Sequence, residues 1–83
     1  MPYIHSEQRA DIAAGHKPHT PGQLNYVLTK VVIDYVNQAD SFAESYDAYN
    51  EVLGVLSAVG YELYRRRIAP YEDRKAEENG DVY

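Results

Sequence analysis

The sequence predicts an all-α protein: an antiparallel helical hairpin of two main helices, short helical segments at both ends, and a fold completed by oligomerisation. Three observations point there. Apolar residues recur every three or four positions along two long segments, cap and stop residues bound those segments, and the chain is too short to cover both apolar faces by itself. At 83 residues it is one helical domain, residues 1–83. A chain of that size buries a smaller fraction of its surface than one of ~150 residues. With no cysteine, disulfides and thiolate zinc sites are excluded. Association between copies is then the leading source of added stability.

Residues 1–20 read as a polar leader in which Ser6 caps a short helical turn over Glu7–Ala14 and Gly15 stops it. The stretch HKPHTPG is a connection, because its prolines and glycine interrupt any periodicity. Thr20-Pro21-Gly22-Gln23 then opens the first main helix, residues 21–37. Thr20 stands at the N-cap, Pro21 at the first helical position, and Gln23 completes a capping-box pattern. Leu24, Val27, Leu28, Val31, Tyr35 and Val36 give that helix one apolar face.

Gln38–Ser45 is polar and short enough to reverse the chain, with Ser45 or Asp47 as caps for the next helix. The second main helix, residues 45–68, carries Tyr49, Val52, Leu53, Leu56, Val59, Gly60, Leu63 and Tyr64 at helical period. It should stop near Ile68, because the residue before Pro70 is biased away from helical backbone. Gly54 and Ala58, four apart, would permit close approach of another helix; a glycine in a helix interior costs ~1 kcal/mol against alanine, which calls for a compensating contact. Residues 70–83 form a C-terminal arm, with a short helix that begins at Pro70 and stops at Asn79-Gly80.

The formal charge of -5 argues against a nucleic-acid backbone as the main partner. No stretch approaches the ~18 consecutive apolar residues of a membrane span, and MPYIHSEQRADI has no basic segment leading into an apolar one, so a cytoplasmic protein is expected. Nine tyrosines, one phenylalanine and no tryptophan favour side chains suited to half-buried positions and interfaces.

Arg65-Arg66-Arg67 is the concentrated basic feature, flanked by Tyr61, Tyr64 and Tyr71. Two readings stand. Tyr61, Tyr64, Arg65, Arg66 and Tyr71 could bind a partner or an anion such as a nucleotide at a subunit junction. Alternatively, the arginines complement their own helix end and pair with Glu72, Asp73, Glu77 or Glu78 of this or a neighbouring chain.

His16 and His19 are two imidazoles in a loop without a third ligand at suitable spacing, which predicts no metal site and no cofactor. Glu51 and Glu62 are eleven apart, and Asp34 and Asp40 lack an acidic partner at helical spacing. They do not form the carboxylate cluster of all-α magnesium pyrophosphohydrolases. No catalytic residue and no enzyme activity is predicted. Asn25 and Glu62 are polar groups on otherwise apolar helices that could fix register between helices; simple exposure is the alternative for Glu62, and Asn25, near the helix start, could equally bind water.

The opening PYI, the segment GQLNYVLTKVV and the long run YNEVLGVLSAVGYELYRRRIAPYEDRKAEENGDVY resemble a small uncharacterised family of phage, bacterial and archaeal proteins, over roughly two-thirds of the chain. The most specific part is the ending, from Glu62, Tyr64, Arg65 and Arg66 through Ala69-Pro70-Tyr71-Glu72-Asp73, Lys75 and Glu78 to Asn79-Gly80-Asp81-Val82-Tyr83. The resemblance implies that the terminal segment is a patterned element. The simplest expectation is an arm exchanged between subunits, with Tyr71 and Tyr83 as anchors and Lys75, Asp81 and the arginines as polar partners. It supplies neither substrate nor catalytic residues. The functional expectation is a homo-oligomer that binds another macromolecule, protein above all, in a host- or defence-directed role in the host cytoplasm if phage-encoded. The alternative is an oligomer that sequesters a nucleotide or other small anion.

Overall fold

The computed structural model describes residues 1–38 and 46–83. Its regular elements are all helical: α1 (Ser6–Ala13), α2 (Pro21–Gln38), α3 (Tyr46–Leu63), a π turn (Tyr64–Ile68) and α4 (Ala69–Asn79). The all-α class stands, with no strand among the described residues. The reversal expected over Gln38–Ser45, the cap expected of Ser45, and Asp40 lie outside the described residues, Gln38 excepted, which ends α2. The chain divides into two compact units, Met1–Ala48 and Tyr49–Tyr83.

In the first unit α1 starts one residue before the expected turn. His5, not Ser6, is the N-cap residue, with extended backbone (φ -66°, ψ 154°). Its N–H donates to Gln8 Oε1 at 3.3 Å, and Arg9 Nη1 donates to the Ile4 carbonyl at 2.6 Å. The sequence favoured Ser6 because a hydroxyl is the better cap acceptor; what fixes the start is instead Gln8, which satisfies an N–H one residue further upstream. The end is as expected. The N–H of Gly15 reaches the Ile12 carbonyl and that of His16 reaches Asp11, both at 3.0 Å, which is the bond pair of a Schellman stop. Gly15 has φ +100°, a conformation L side chains rarely adopt.

The predicted cap of α2 forms. Thr20 Oγ1 accepts from the Gln23 N–H at 3.2 Å, and Gln23 Oε1 accepts from the N–H of His19 at 3.0 Å, so the box closes one residue upstream of Thr20. Gln23 is buried. The turn at the N-terminus, Ile4 N–H to Pro2 carbonyl at 2.9 Å, lies against this first helical turn. A Cβ at Gly22 would stand 3.3 Å from Ile4 Cγ2, so glycine is what admits the close approach. Thr20→Ala is expected to cost about 1 kcal/mol, read as a lower thermal midpoint by circular dichroism.

The covered side of α2 takes in only part of the apolar face read from the sequence, Val36 and Val27. Gln23 and Val36 are buried and Tyr26, Thr29 and Val32 half-buried, whereas Leu24, Leu28, Val31 and Tyr35 stay exposed. The first unit therefore leaves the strongest apolar stripe of α2 uncovered.

The second unit overturns the expected stop at Ile68. Leu63, Ile68 and Ala69 all have right-handed helical backbone, and the helix runs through Pro70 to Asn79. Proline removes one N–H and crowds the carbonyl four residues back, here that of Arg66. The π turn absorbs this: the Ala69 N–H bonds the Tyr64 carbonyl five residues back, widening the helix where the ring enters. Most of the arm expected over 70–83 is thus a continuation of the long helix. It ends at Gly80, φ +93°, whose N–H closes on the Ala76 carbonyl at 2.9 Å.

Candidate functional site

At 100° per residue, α3 sorts its side chains into two faces. Tyr49, Val52, Leu53, Leu56, Val59 and Leu63 share one broad apolar side; Asn50, Gly54, Ser57, Ala58 and Tyr61 lie on the other. Gly54 and Ala58, expected to admit a packed helix, are therefore on the back of the apolar face, and a Cβ added at Gly54 would meet nothing within 4 Å. Nothing in α3 is buried: Leu53 and Val59 are each 62% exposed and Leu63 53%.

Beyond the apolar face the predicted ligand residues separate into three groups. Arg65 and Arg66 both turn back to Glu62, with Arg65 Nη2 at 2.7 Å and Arg66 Nε at 3.2 Å from Oε1. All three side chains are solvent-exposed, so these pairs contribute a few tenths of a kcal/mol each. Glu62 is the exposed partner of two arginines and not a buried register contact. Within the chain Arg65 and Arg66 meet Glu62 rather than Glu72, Asp73, Glu77 or Glu78.

Tyr64 goes the other way. Its hydroxyl donates to Glu72 Oε1 at 2.7 Å. That hydrogen bond, then the negative charge of Glu72, raises the ionisation of Tyr64 above the usual 10.0. The protonated phenol is the form that bonds. Its contribution is complete below the ordinary tyrosine range and is lost as pH rises through the higher folded value. In a spectrophotometric titration, Glu72→Gln should move one tyrosine's ionisation down and Tyr64→Phe should remove it.

The third group is Tyr71, whose ring lies 5.9 Å from the Arg74 guanidinium and 5.7 Å from Lys75 Nζ. Lys75 also pairs with Glu78 at 3.3 Å. Past Gly80 the chain bends, Asp81 Oδ1 accepting the Tyr83 N–H at 2.9 Å. A groove of about 470 Å³ lies along α4, and Tyr64, Lys75, Asp81 and Tyr83 contribute to it together with Glu72 and Asp73. So the structure joins Tyr64 to the arm residues, and separates it from Arg65, Arg66 and Tyr71. Of the carboxylates that organise these groups, Glu72 was read as a partner of the arginines and instead meets Tyr64, and Glu62 was read as a contact between helices. Glu62 stands three and four residues before its arginines, a spacing legible in the sequence; Glu72 is eight residues from Tyr64 and needs the π turn to meet it.

Elsewhere, Thr29 Oγ1 donates to Asn25 Oδ1 at 3.0 Å, which accounts for Asn25 locally. The backbone N–H groups of His16 and His19 serve the helix ends described above. Among the described residues no three His, Asp or Glu side chains converge as metal ligands. No helix there is long and apolar enough to cross a membrane.

No curated protein and no solved structure matches this chain. One family does, a domain of unknown function, DUF6899, over residues 1–82. That span takes in the leader, the two main helices, the π turn and the arm, and the chain belongs to this family.

Proposed function

We propose that this protein acts by assembly: a non-enzymatic helical protein that homo-oligomerises and presents the assembled surface to another macromolecule. One observation carries the reading. Among the described residues, Val36 is the buried apolar side chain, while Leu24, Leu28, Val31, Leu53, Val55, Leu56, Val59 and Leu63 remain between 41% and 62% exposed. Burying apolar surface is worth ~25 cal/mol per Å², and contiguous exposed apolar faces of this kind mark interaction sites. The net charge of -5 disfavours a nucleic-acid backbone as what covers them.

The arm fits the same reading. Val82 and Tyr83, at 91% and 113% relative exposure, extend beyond α4 uncovered among the described residues, as anchors for a neighbouring subunit would. The kinship with phage proteins that the sequence implies makes a host component the natural macromolecular target. The test is light scattering on the full chain and on a version ending at Ala69. The full chain should give a multiple of 9.5 kDa and the shortened one a monomer or an unfolded chain. The same number of subunits in both would remove the arm from the account.

A further inference from the structure

Tyr49, Val52, Leu56, Val59 and Leu63 follow one another at alternating steps of three and four. That is a period of 3.5, the repeat by which one helix meshes with another along its length. The same stripe on two copies is complementary to itself. Its charge pattern gives a direction. Asp47 and Glu51 lie near the start of α3, Arg65, Arg66 and Arg67 follow its end, and Val52–Tyr61 carries no charge. Antiparallel helices set each acidic start beside the other's basic end, and oppose their dipoles favourably; parallel helices would set arginines against arginines.

We propose that α3 is the seam between two copies of this chain, that the two helices run antiparallel, and that Leu56 of each faces Val59 of the other. The proposal rests on the assembling role above and gives it an address and a polarity. Sizes agree with it. In this alignment Val52 faces Leu63, and Leu53, 62% exposed, comes over Gly60, where an added Cβ would meet nothing within 4 Å. The leucine fills the space that the glycine leaves, which supplies the compensation a mid-helix glycine calls for. Arg67, without an ion pair among the described residues, is left for the acidic start of the partner helix. A lipid surface fits less well, since the back of α3 bears Asn50, Glu51 and Glu62 where an interfacial helix carries lysine and arginine.

The chain has no cysteine, so introduced ones report alone. Val52→Cys and Leu63→Cys, mixed and oxidised, should form a covalent dimer containing one of each, while either variant oxidised alone should not. Efficient self-linking of Val52→Cys would overturn the antiparallel polarity. Absence of the mixed dimer, with helical signal retained, would overturn the seam. As a second readout, Leu56→Glu should reduce the solution mass to 9.5 kDa, while Ser57→Glu, on the outer side, should leave it as in the unaltered chain. An unaltered chain that is itself monomeric sinks the assembly reading as well; an oligomer indifferent to Leu56→Glu sinks the seam alone.

Discussion

Diluting this protein should cost it most of the helical signal of α3 and α4. Isolated helices in water are held weakly, and their stability in proteins comes from packing of an apolar face. In the second unit no helical residue is buried, so the packing must come from outside it. Folding coupled to pairing makes stability depend on concentration: each tenfold dilution removes about 1.4 kcal/mol from a dimer. For chains of this length that is a drop of several degrees in the thermal midpoint per decade. Superimposable melts over two decades of concentration would show that the helices hold without a partner.

Pro70→Ala should act most strongly at Tyr64. In an uninterrupted α-helix, residues eight apart sit roughly 80° away from each other around the axis and ~12 Å along it, so Glu72 would be turned aside from the tyrosine hydroxyl. The wider π turn takes up the extra rotation and brings Glu72 to within 2.7 Å. Alanine restores the N–H that proline lacks and removes its clash, and a mid-helix proline is ~3 kcal/mol worse than alanine. The segment should then revert to α-helix, the 2.7 Å bond should break, and Tyr64 should ionise in the ordinary tyrosine range. The arm 80–83 should swing by a similar angle and, if it clasps a neighbour, weaken assembly. An unchanged Tyr64 titration would mean that something other than Pro70 holds the π turn.

Both predictions come from places where local signals and the structure part. Caps and stops were legible: Thr20, Pro21, Gly15 and Asn79-Gly80 act through neighbours within five residues, and sequence displays such neighbours directly. The apolar periods of α2 and α3 correctly announced helices. They did not announce which side would be covered, because burial depends on what arrives: the N-terminal turn reaches Gly22 and leaves Leu24, Leu28 and Val31 in water. Proline misled for the same reason. Its local bias is to end a helix, and it gives no sign that a π turn upstream can carry the helix past it.

The candidate site was legible by composition and not by grouping. Tyr61, Tyr64, Arg65, Arg66 and Tyr71 are near in sequence, yet Arg65 and Arg66 go to Glu62, Tyr64 to Glu72 and Tyr71 to Arg74 and Lys75, while Tyr61 stays exposed. Lys75, Asp81 and Tyr83 were read as arm residues and do share a groove, with Tyr64 added to them.

Sedimentation equilibrium of the full chain, across the concentrations used for the melts, tests the central claim most directly. The account predicts a mass that is a whole multiple of 9.5 kDa and falls toward 9.5 kDa only as helical signal is lost. A stable 9.5 kDa species with full helical signal would contradict it.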